Sequence, residues 1–430
     1  MIVQVPSANI ATATNTGSSP CVADVQTTST VVTANSGGKC YVVFLSGSNS
    51  WTVPNNISAA DILVIAGGGG GGAGAWGGGG GAGGIVYIAN RSITPSSAYN
   101  LSVGGGGAVG SQSISDAVAN RSSNGGDSWF GSSSTFVAKG GGAGASYAWS
   151  LGTAPYSICD GSSGGSGGGA SECNNTSYSN DGGSTTQTLP TGATASYGYA
   201  GGSTPIASYA SGAGGGGSGE AGGSVTVSST AASGGSGTNL FSTWLTAITS
   251  AMSGVTGWAA ATSSGNIAGG GGGAANSGGS GGSGGGGNGG RSSSINGVAG
   301  ITNTGSGGGG AGYSGGSGTA GTGGSGIVII RYSLPSTISI SITGNPATVT
   351  YNQAATITAT ISGVDGVVTI YANGKTVANC VSKNSSGLSY SCSWKPTVHR
   401  DFILTAKLVN SSTVYSAPIK VQVVKRTNNR

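Results

Sequence analysis

A three-residue period in the glycine-rich stretches constrains the fold of this chain more than any other feature. Residues 276–285 read NSGGSGGSGG, with serine at every third position. Three residues per turn is the repeat of the left-handed polyproline II geometry, which forms no hydrogen bonds within the helix. The N–H and C=O groups must therefore find partners on neighbouring segments. Because no side chain stands between glycine helices, the sequence predicts a lattice of polyglycine II helices.

Composition separates this lattice from other glycine-rich chains. The protein has 92 glycines in 430 residues, but its 11 prolines and lack of a strict Gly-X-Y triplet exclude collagen. Only 6% of its residues are charged, whereas disordered chains combine high charge with few β-branched residues. A flexible Gly/Ser linker would explain the glycine runs, but it would not need the Ile- and Val-rich segments that flank them.

Strand patterns frame and follow the glycine-rich part. Residues 61–66 (DILVIA) and 326–333 (GIVIIRYS) are continuous apolar runs typical of buried strands. Residues 335–425 alternate between apolar and polar positions, and Asn373-Gly374 is a type I′ hairpin signal. We predict an all-β protein with three parts: an N-terminal arm or anchor (1–37), a glycine-rich domain in which β-strands frame polyglycine II helices (38–333), and an immunoglobulin-like β-sandwich (334–430).

Charge is divided unevenly between these parts. Residues 335–430 contain nine Lys and Arg residues against two acidic residues, a net charge of +7. Residues 1–334 contain six basic and eight acidic residues, a net charge of −2. The basic excess could dock on an acidic partner. We favour a solvated domain surface, because these charges are spread along the segment and not clustered.

The six cysteines form three sequence-local pairs: Cys21–Cys40, Cys159–Cys173 and Cys380–Cys392. This pattern predicts three disulfides and an oxidising setting. The N-terminal residues have neither the basic nor the apolar region of a secretory signal peptide. A virion protein satisfies both observations, since it assembles inside the cell and is then released. A disulfide-rich archaeal cytoplasm and a signal peptide removed before residue 1 are alternatives.

Catalysis finds little support in the sequence. His399 and Asp401 fall on one face of an expected strand, but no nucleophile accompanies them, and a surface pair is the simpler interpretation. No C-x-x-C zinc pattern and no repeated Asp of a calcium-binding repeat occurs. We therefore expect no enzyme activity, no catalytic residue, no metal, no cofactor and no nucleic-acid partner.

Two end motifs of the glycine-rich part resemble a known family. Residues 51–88 read WTVPNNISAADILVIAGGGGGGAGAWGGGGGAGGIVYI, and residues 326–332 read GIVIIRY. Together they resemble the glycine-rich domain of phage tail-fibre and adhesin proteins, over about residues 38–332. The resemblance implies a polyglycine II lattice whose loops contact a host receptor. We expect a virion surface protein (a fibre, spike or tail-tip adhesin); the alternatives are a turret, a decoration protein or an extracellular filament subunit.

Aromatic residues concentrate in three inserts of the glycine-rich part, 144–160, 171–212 and 237–267. Tyr and Trp among Ser, Gly and Asn is also the composition of adaptable binding loops. The expected partners are a host cell-surface glycan or protein, other virion proteins and copies of this chain; the rings could equally cover the edges of the lattice. The candidate receptor contacts are Tyr147, Trp149, Tyr156, Tyr178, Tyr197, Tyr199, Tyr209, Trp244 and Trp258.

Residues 238–255 predict the one good helix, with Leu240, Trp244, Ile248 and Met252 on one face. A helix that packs on its own domain is favoured over a membrane-active one, because it carries no Lys or Arg. N-x-S/T sequons predict glycosylation, and together with low charge and disulfides they fit a virus of hot, acidic archaea as well as a bacterial phage. The candidate asparagines are Asn56, Asn90, Asn100, Asn120, Asn174, Asn175, Asn384 and Asn410.

Overall fold

The structure is a computed structural model in which the chain divides into two compact units. One unit is built mainly from Cys40–Tyr332, and the other mainly from Ser333–Arg430. No helix within the described residues is long and apolar enough to cross a membrane. The described residues are 31–54, 57–110, 121–147, 156–172, 180–205, 210–314, 318–333, 337–342, 348–362, 366–381, 383–384, 389–409 and 413–425.

Strands lie at the start and end of the glycine-rich unit, and its helices are short. The strands are β1 (Val31–Ser36), β2 (Lys39–Phe44), β3 (Gly47–Thr52), β4 (Ala59–Ile65), β5 (Ile85–Ser92), β6 (Ala98–Val103), β7 (Ser128–Phe130), β8 (Phe136–Ala138), β9 (Ala195–Tyr197) and β10 (Ile327–Ser333). The helices are a 3₁₀ turn (Tyr156–Cys159), α1 (Ser242–Ile248) and α2 (Trp258–Ala261).

The two apolar runs pair with each other in a six-stranded sheet of order β1-β2-β10-β4-β5-β9. Strand β10 lies antiparallel to β4, with Ile327 opposite Ile65. The runs are apolar at successive positions because both faces of this sheet are covered. The segment containing α1 and α2 packs on one face, and β7 and β8 of a four-stranded sheet (β3-β6-β7-β8) contact β4 and β5. The predicted strands at 61–66 and 326–333 are confirmed.

Part of the segment predicted as an N-terminal arm (1–37) belongs to the six-stranded sheet. Residues 1–30 lie outside the described residues. Residues 31–36, which were also assigned to the arm, form β1 and pair with β2 in the six-stranded sheet. Val31 is buried there, so hydrophobic contact with the sheet draws this segment into the domain.

The C-terminal unit consists of two sheets. Its strands are β11 (Thr337–Ile342), β12 (Thr348–Thr350), β13 (Ala355–Ser362), β14 (Val367–Ala372), β15 (Lys375–Thr376), β16 (Lys383–Asn384), β17 (Ser389–Trp394), β18 (Asp401–Val409), β19 (Thr413–Tyr415) and β20 (Ile419–Val424). One sheet has the order β11-β13-β17. The other has the order β12-β20-β18-β14-β15, with β16 beside β14 and β19 beside β18.

The two sheets of the C-terminal unit share one hydrophobic core, as in a β-sandwich. Ile338 and Ile340 of β11 are buried in the same core as Leu404 and Ala406 of β18. Each strand has one inward face, which explains the period-two pattern of the sequence. The hairpin between β14 and β15 turns at Asn373 and Gly374, both of which have the positive φ that a type I′ turn requires.

Candidate functional site

The glycine segments bond to one another with a three-residue period. Successive N–H groups of residues 67–72 donate to three different segments in turn, and the cycle then repeats three residues further on. The acceptors, in order from Gly67 to Gly72, are the carbonyl oxygens of Gly126, Gly324, Gly81, Ser123, Gly321 and Gly78. Each of the six N–H groups therefore has a partner, as buried backbone groups require.

The carbonyl groups of the same segment bond to three further segments and, through Ser122, to the segment that already contains Ser123 and Gly126. Their donors, in order from Gly67 to Gly72, are the N–H groups of Gly141, Gly107, Gly308 and Gly144, the Oγ of Ser122 and the N–H of Ala311. Residues 67–72 are thus surrounded by six segments. All of them approach closely because the central segment has no side chains. The result is a frame of cross-linked backbone that fixes the positions at which chain segments enter and leave it.

At the edge of this frame, which we call the rim, side-chain oxygens accept the hydrogen bonds that backbone carbonyls accept in the interior. The side-chain Oδ1 of Asn124 accepts a hydrogen bond from the N–H of Ala143 at 2.9 Å, as a backbone carbonyl does in the interior. Four more rim side chains accept in the same way: Asp127 from Gly140, Gln187 from Lys139, Asn288 from Gly281 and Asn296 from Thr319. Sequence reasoning missed this role. An Asn, Gln or Asp residue next to a glycine run is the sequence signal that could have predicted it.

The frame has two different ends. At one end, which we call the strand end, the glycine segments continue into the six-stranded sheet: Ala66 donates to the carbonyl of Gly84, directly after β4 and before β5. At the other end the chain reverses at Trp76, and we call this the Trp76 end. Three other segments bond to the chain at this turn: Gly77 donates to Ala311, Gly78 donates to Ala145, and the Oγ of Ser171 donates to the carbonyl of Trp76.

An aromatic cluster of Trp76, Tyr147 and Tyr313 covers the Trp76 end. The ring of Tyr147 meets that of Trp76 edge to face at 4.8 Å between centroids, and Tyr313 lies 5.6 Å from Trp76. Tyr147 is buried, Trp76 is half-buried and Tyr313 is 37% exposed. Trp76 has φ 52°, a left-handed conformation that costs a residue with a large side chain about 1–3 kcal/mol. Its indole Nε1 is buried and finds no acceptor among the described residues.

A buried carboxyl group, Glu172, lies beside this cluster. Its Oε2 accepts a short hydrogen bond from the N–H of Ala210, which ties together the two sides of an insert. Burial raises the pKa of Glu172, while the hydrogen bond from Ala210 partly offsets that rise. Burial, and after it the charge of Glu172, raises the pKa of Tyr147 to about 12. No local pattern in the sequence marks Glu172, because its burial depends on the surrounding glycine segments.

The raised pKa of Glu172 predicts that this end of the domain is more stable in acid. A carboxyl group whose pKa is higher in the folded state stabilises the fold below its unfolded value, and that contribution is lost as the pH rises through the folded value. Glu172→Gln should therefore raise the melting temperature at pH 7 and change it little at pH 4. Thermal melting of the exposed-site variant Glu220→Gln is the control, and an equal response of the two variants would contradict the prediction.

The structure distributes the predicted receptor contacts between core and surface. Tyr147, Trp244 and Trp258 are buried, so their side chains pack inside the domain and the prediction of an exposed contact is wrong for these rings. Tyr197 on β9 is half-buried beside Phe241, and Tyr199 is 43% exposed. Tyr156 begins the 3₁₀ turn. Trp149, Tyr178 and Tyr209 lie outside the described residues.

The insert 237–267 packs at the strand end and not at the Trp76 end. Trp244, Leu245 and Ile248 of α1 share a core with Leu63 and Ile329 of the six-stranded sheet. The predicted helix over 238–255 is also too long, since α1 ends at Ile248 and Leu240 before it is 62% exposed. The hydroxyl of Thr249 donates to the carbonyl of Leu245, a local bond that competes with continuation of the helix.

The predicted disulfide between Cys380 and Cys392 is confirmed. Cys392 lies on β17, whereas the carbonyl of Cys380 accepts from Ile370 on β14, so this disulfide joins the two sheets of the sandwich. Cys40 and Cys159 are also disulfide-bonded. Cys21 and Cys173 lie outside the described residues, and their pairings stay predictions.

Two of the candidate glycosylation sites can be located on the surface. Asn90 and Asn100 are exposed, at the end of β5 and on β6. Asn384 lies in β16, where the structure describes only its backbone. The remaining candidates, Asn56, Asn120, Asn174, Asn175 and Asn410, lie outside the described residues.

His399 and Asp401, which the sequence places on one face of a strand, have separate partners in the sandwich. Asp401 forms an ion pair with Lys420 at 2.9 Å, and His399 stacks on Tyr351 with 5.5 Å between ring centroids. Within the part of the chain that is described, no group of three or more His, Cys, Asp and Glu residues could hold a metal ion.

The backbone frame and its flanking sheets define an all-β protein of the glycine-rich class. Residues 44–333 match the family described as "Glycine-rich domain", and the chain belongs to this family. Among solved structures, the chain is similar to the CARDB domain of a Pyrococcus furiosus protein, at 22% identity over 21% of this chain and 95% of that one, with a TM-score of 0.15. No protein with a curated description matches the chain.

Proposed function

We propose that this chain is a non-enzymatic surface protein of a virus particle that attaches to a host cell through the Trp76 end of its glycine-rich unit. The observation that carries the proposal is that two of the three inserts begin at that end. Ser146 of the insert 144–160 and Ser171 of the insert 171–212 both bond to the chain between Ala73 and Trp76. The resemblance of residues 51–88 and 326–332 to phage tail-fibre and adhesin proteins supports the same class of function.

The physical basis of the proposal is rigid presentation. We interpret the glycine segments as polyglycine II helices, because their hydrogen bonds repeat every three residues and each interior segment has six neighbours. A frame of this kind holds the start and end of each insert in place. Less conformational entropy is then lost when the inserts bind a receptor. The expected partner is a glycan or protein of the host cell surface.

The C-terminal unit has a supporting role in this proposal. We interpret it as an immunoglobulin-like sandwich, because its two sheets enclose one core and a disulfide joins them. It would serve as a spacer or a second contact module, while the N-terminal residues anchor the chain to other virion proteins. We expect copies of the chain to assemble together on the virion surface.

Cell binding tests this assignment in the full-length chain. Labelled protein is incubated with a panel of bacterial and archaeal cells, and two variants are compared with it. The first replaces residues 148–155, 174–179 and 206–209 by short Gly-Ser loops and keeps Cys173, and we expect it to lose at least about tenfold in affinity, or 1.4 kcal/mol. The second carries Lys375→Glu, Lys395→Glu and Arg400→Glu on the sandwich, and it should keep its binding.

If the loop variant keeps its binding and the sandwich variant loses it, receptor binding belongs to the basic sandwich. Binding that survives both sets of changes would favour the alternative of a purely structural virion protein. Circular dichroism of each variant is the control for folding, since a misfolded protein would also fail to bind.

A further inference from the structure

A hydroxyl-lined cleft lies near the strand end, beside β8 and the loop before β9. It has a volume of about 470 Å³, within the range of roughly 300–1,000 Å³ that small-molecule sites occupy. One wall is the hairpin between β7 and β8, and the other is the loop before β9. Its lining residues are Ser133, Ser134, Thr135, Val137, Lys139, Thr188, Pro190 and Thr191.

Hydrogen bonds fix the two walls of this hydroxyl cleft relative to each other. Gln187 bridges them, because its Oε1 accepts from the N–H of Lys139 while its Nε2 donates to the carbonyl of Thr188. Within the loop, Ala193 donates to the carbonyl of Pro190. Within the hairpin, the hydroxyls of Ser132 and Thr135 bond to each other at 2.5 Å. A ligand would therefore meet walls that are already ordered, which lowers the entropy cost of binding.

Polar groups in the cleft have hydrogen-bonding capacity to spare. The hydroxyls of Ser133, Thr188 and Thr191 bond to no other described residue, and each can both donate and accept. Lys139 uses its ammonium group in one ion pair with Asp127 at 2.8 Å, which leaves two of its three N–H donors. Because Asp127 neutralises this lysine, the cleft carries no net charge to select an anion.

From these groups we infer that the hydroxyl cleft binds a neutral saccharide. A sugar offers the same mixed donors and acceptors as the Ser and Thr hydroxyls, and the remaining ammonium donors of Lys139 suit its hydroxyl oxygens. The apolar sides of Val137 and Pro190 suit the C–H face of a sugar ring. The cleft includes Thr188, Pro190 and Thr191 of the insert 171–212, but none of the residues replaced in the cell-binding variant, so sugar binding and cell binding can be measured independently.

Saturation-transfer NMR on the full-length protein tests this inference. The neutral probes are cellotriose, mannotriose and chitotriose, and the charged comparison is sialyllactose. The variant Thr188→Val/Thr191→Val removes two unbonded hydroxyls and keeps their shape. The matched control Thr94→Val/Thr226→Val changes two exposed threonines outside the cleft. We expect at least one neutral probe to bind, with Kd about tenfold higher for the cleft variant and unchanged for the control.

Three results would overturn the inference. The first is that no neutral probe binds the wild-type protein, the second is that the cleft variant and the control have equal Kd values, and the third is that sialyllactose binds more tightly than every neutral probe. Since neither pair of substitutions alters a buried residue, equal melting temperatures for the two variants should accompany the measurement.

Discussion

Replacing Gly69 and Gly80 together by alanine is expected to destabilise the glycine-rich unit by more than about 4 kcal/mol, the range reached when a buried site cannot relax. A Cβ on Gly69 would lie 2.5 Å from the carbonyl carbon of Gly142, and a Cβ on Gly80 would lie 2.7 Å from that of Gly69. Both neighbours are backbone atoms, and their own hydrogen bonds hold them in place. Thermal and denaturant unfolding would measure the loss.

The matched control for this variant is Gly105→Ala/Gly254→Ala. A Cβ at either position meets no atom within 4 Å, and neither glycine has a positive φ. Each substitution restricts the unfolded chain and should leave stability within roughly 1 kcal/mol of wild type, on the stabilising side. If the two double variants unfold alike, the glycines serve as flexible spacers and the close-packed frame is wrong.

Trp244→Ala is expected to cost about 3–5 kcal/mol of unfolding free energy, which is typical of a buried aromatic residue. The ring packs edge to face against Tyr41, and the guanidinium carbon of Arg331 lies 4.1 Å from the ring centroid. Arg331 also pairs with Asp61 at 2.7 Å, so the truncation would remove the packing surface of an ion pair. Chemical denaturation with a linear extrapolation gives the change.

Tyr199→Ala is the comparison for Trp244→Ala, since Tyr199 is 43% exposed and its loss should cost less than about 1 kcal/mol. Both residues were expected on sequence grounds to contact a receptor. A Trp244→Ala protein with unchanged stability and weakened cell binding would restore that expectation and contradict the buried position of the ring.

The strands of this protein were predictable because their signal is local. Residues 61–66 and 326–333 are apolar at successive positions, and such runs have few stable alternatives to a doubly covered strand. The alternation in 335–425 likewise follows from strands with one buried face. The Asn373-Gly374 turn was predictable because few residue pairs tolerate two consecutive positive φ angles.

The helix and the aromatic residues show where local signals fail. The spacing of Leu240, Trp244, Ile248 and Met252 fits one long helix, yet α1 covers only Ser242–Ile248. Met252 is nevertheless buried, although it lies in the turn that follows α1 and not in the helix. An aromatic residue among Ser and Gly has the same sequence context in a binding loop and in a core. Burial of Trp244 and Trp258 depends on a sheet whose central strands are far away in the sequence.

The sequence by itself determined that this protein is all-β, that its glycine stretches must find their hydrogen-bond partners elsewhere in the chain, and that strands frame them. A period of three leaves every N–H and C=O group pointing outward, whatever the neighbours are. Only the tertiary structure decided which segments became neighbours, which side chains closed the rim, and which inserts meet at Trp76. Those choices depend on contacts between residues far apart in the chain, and glycine, without a side chain, carries no local signal that could specify them.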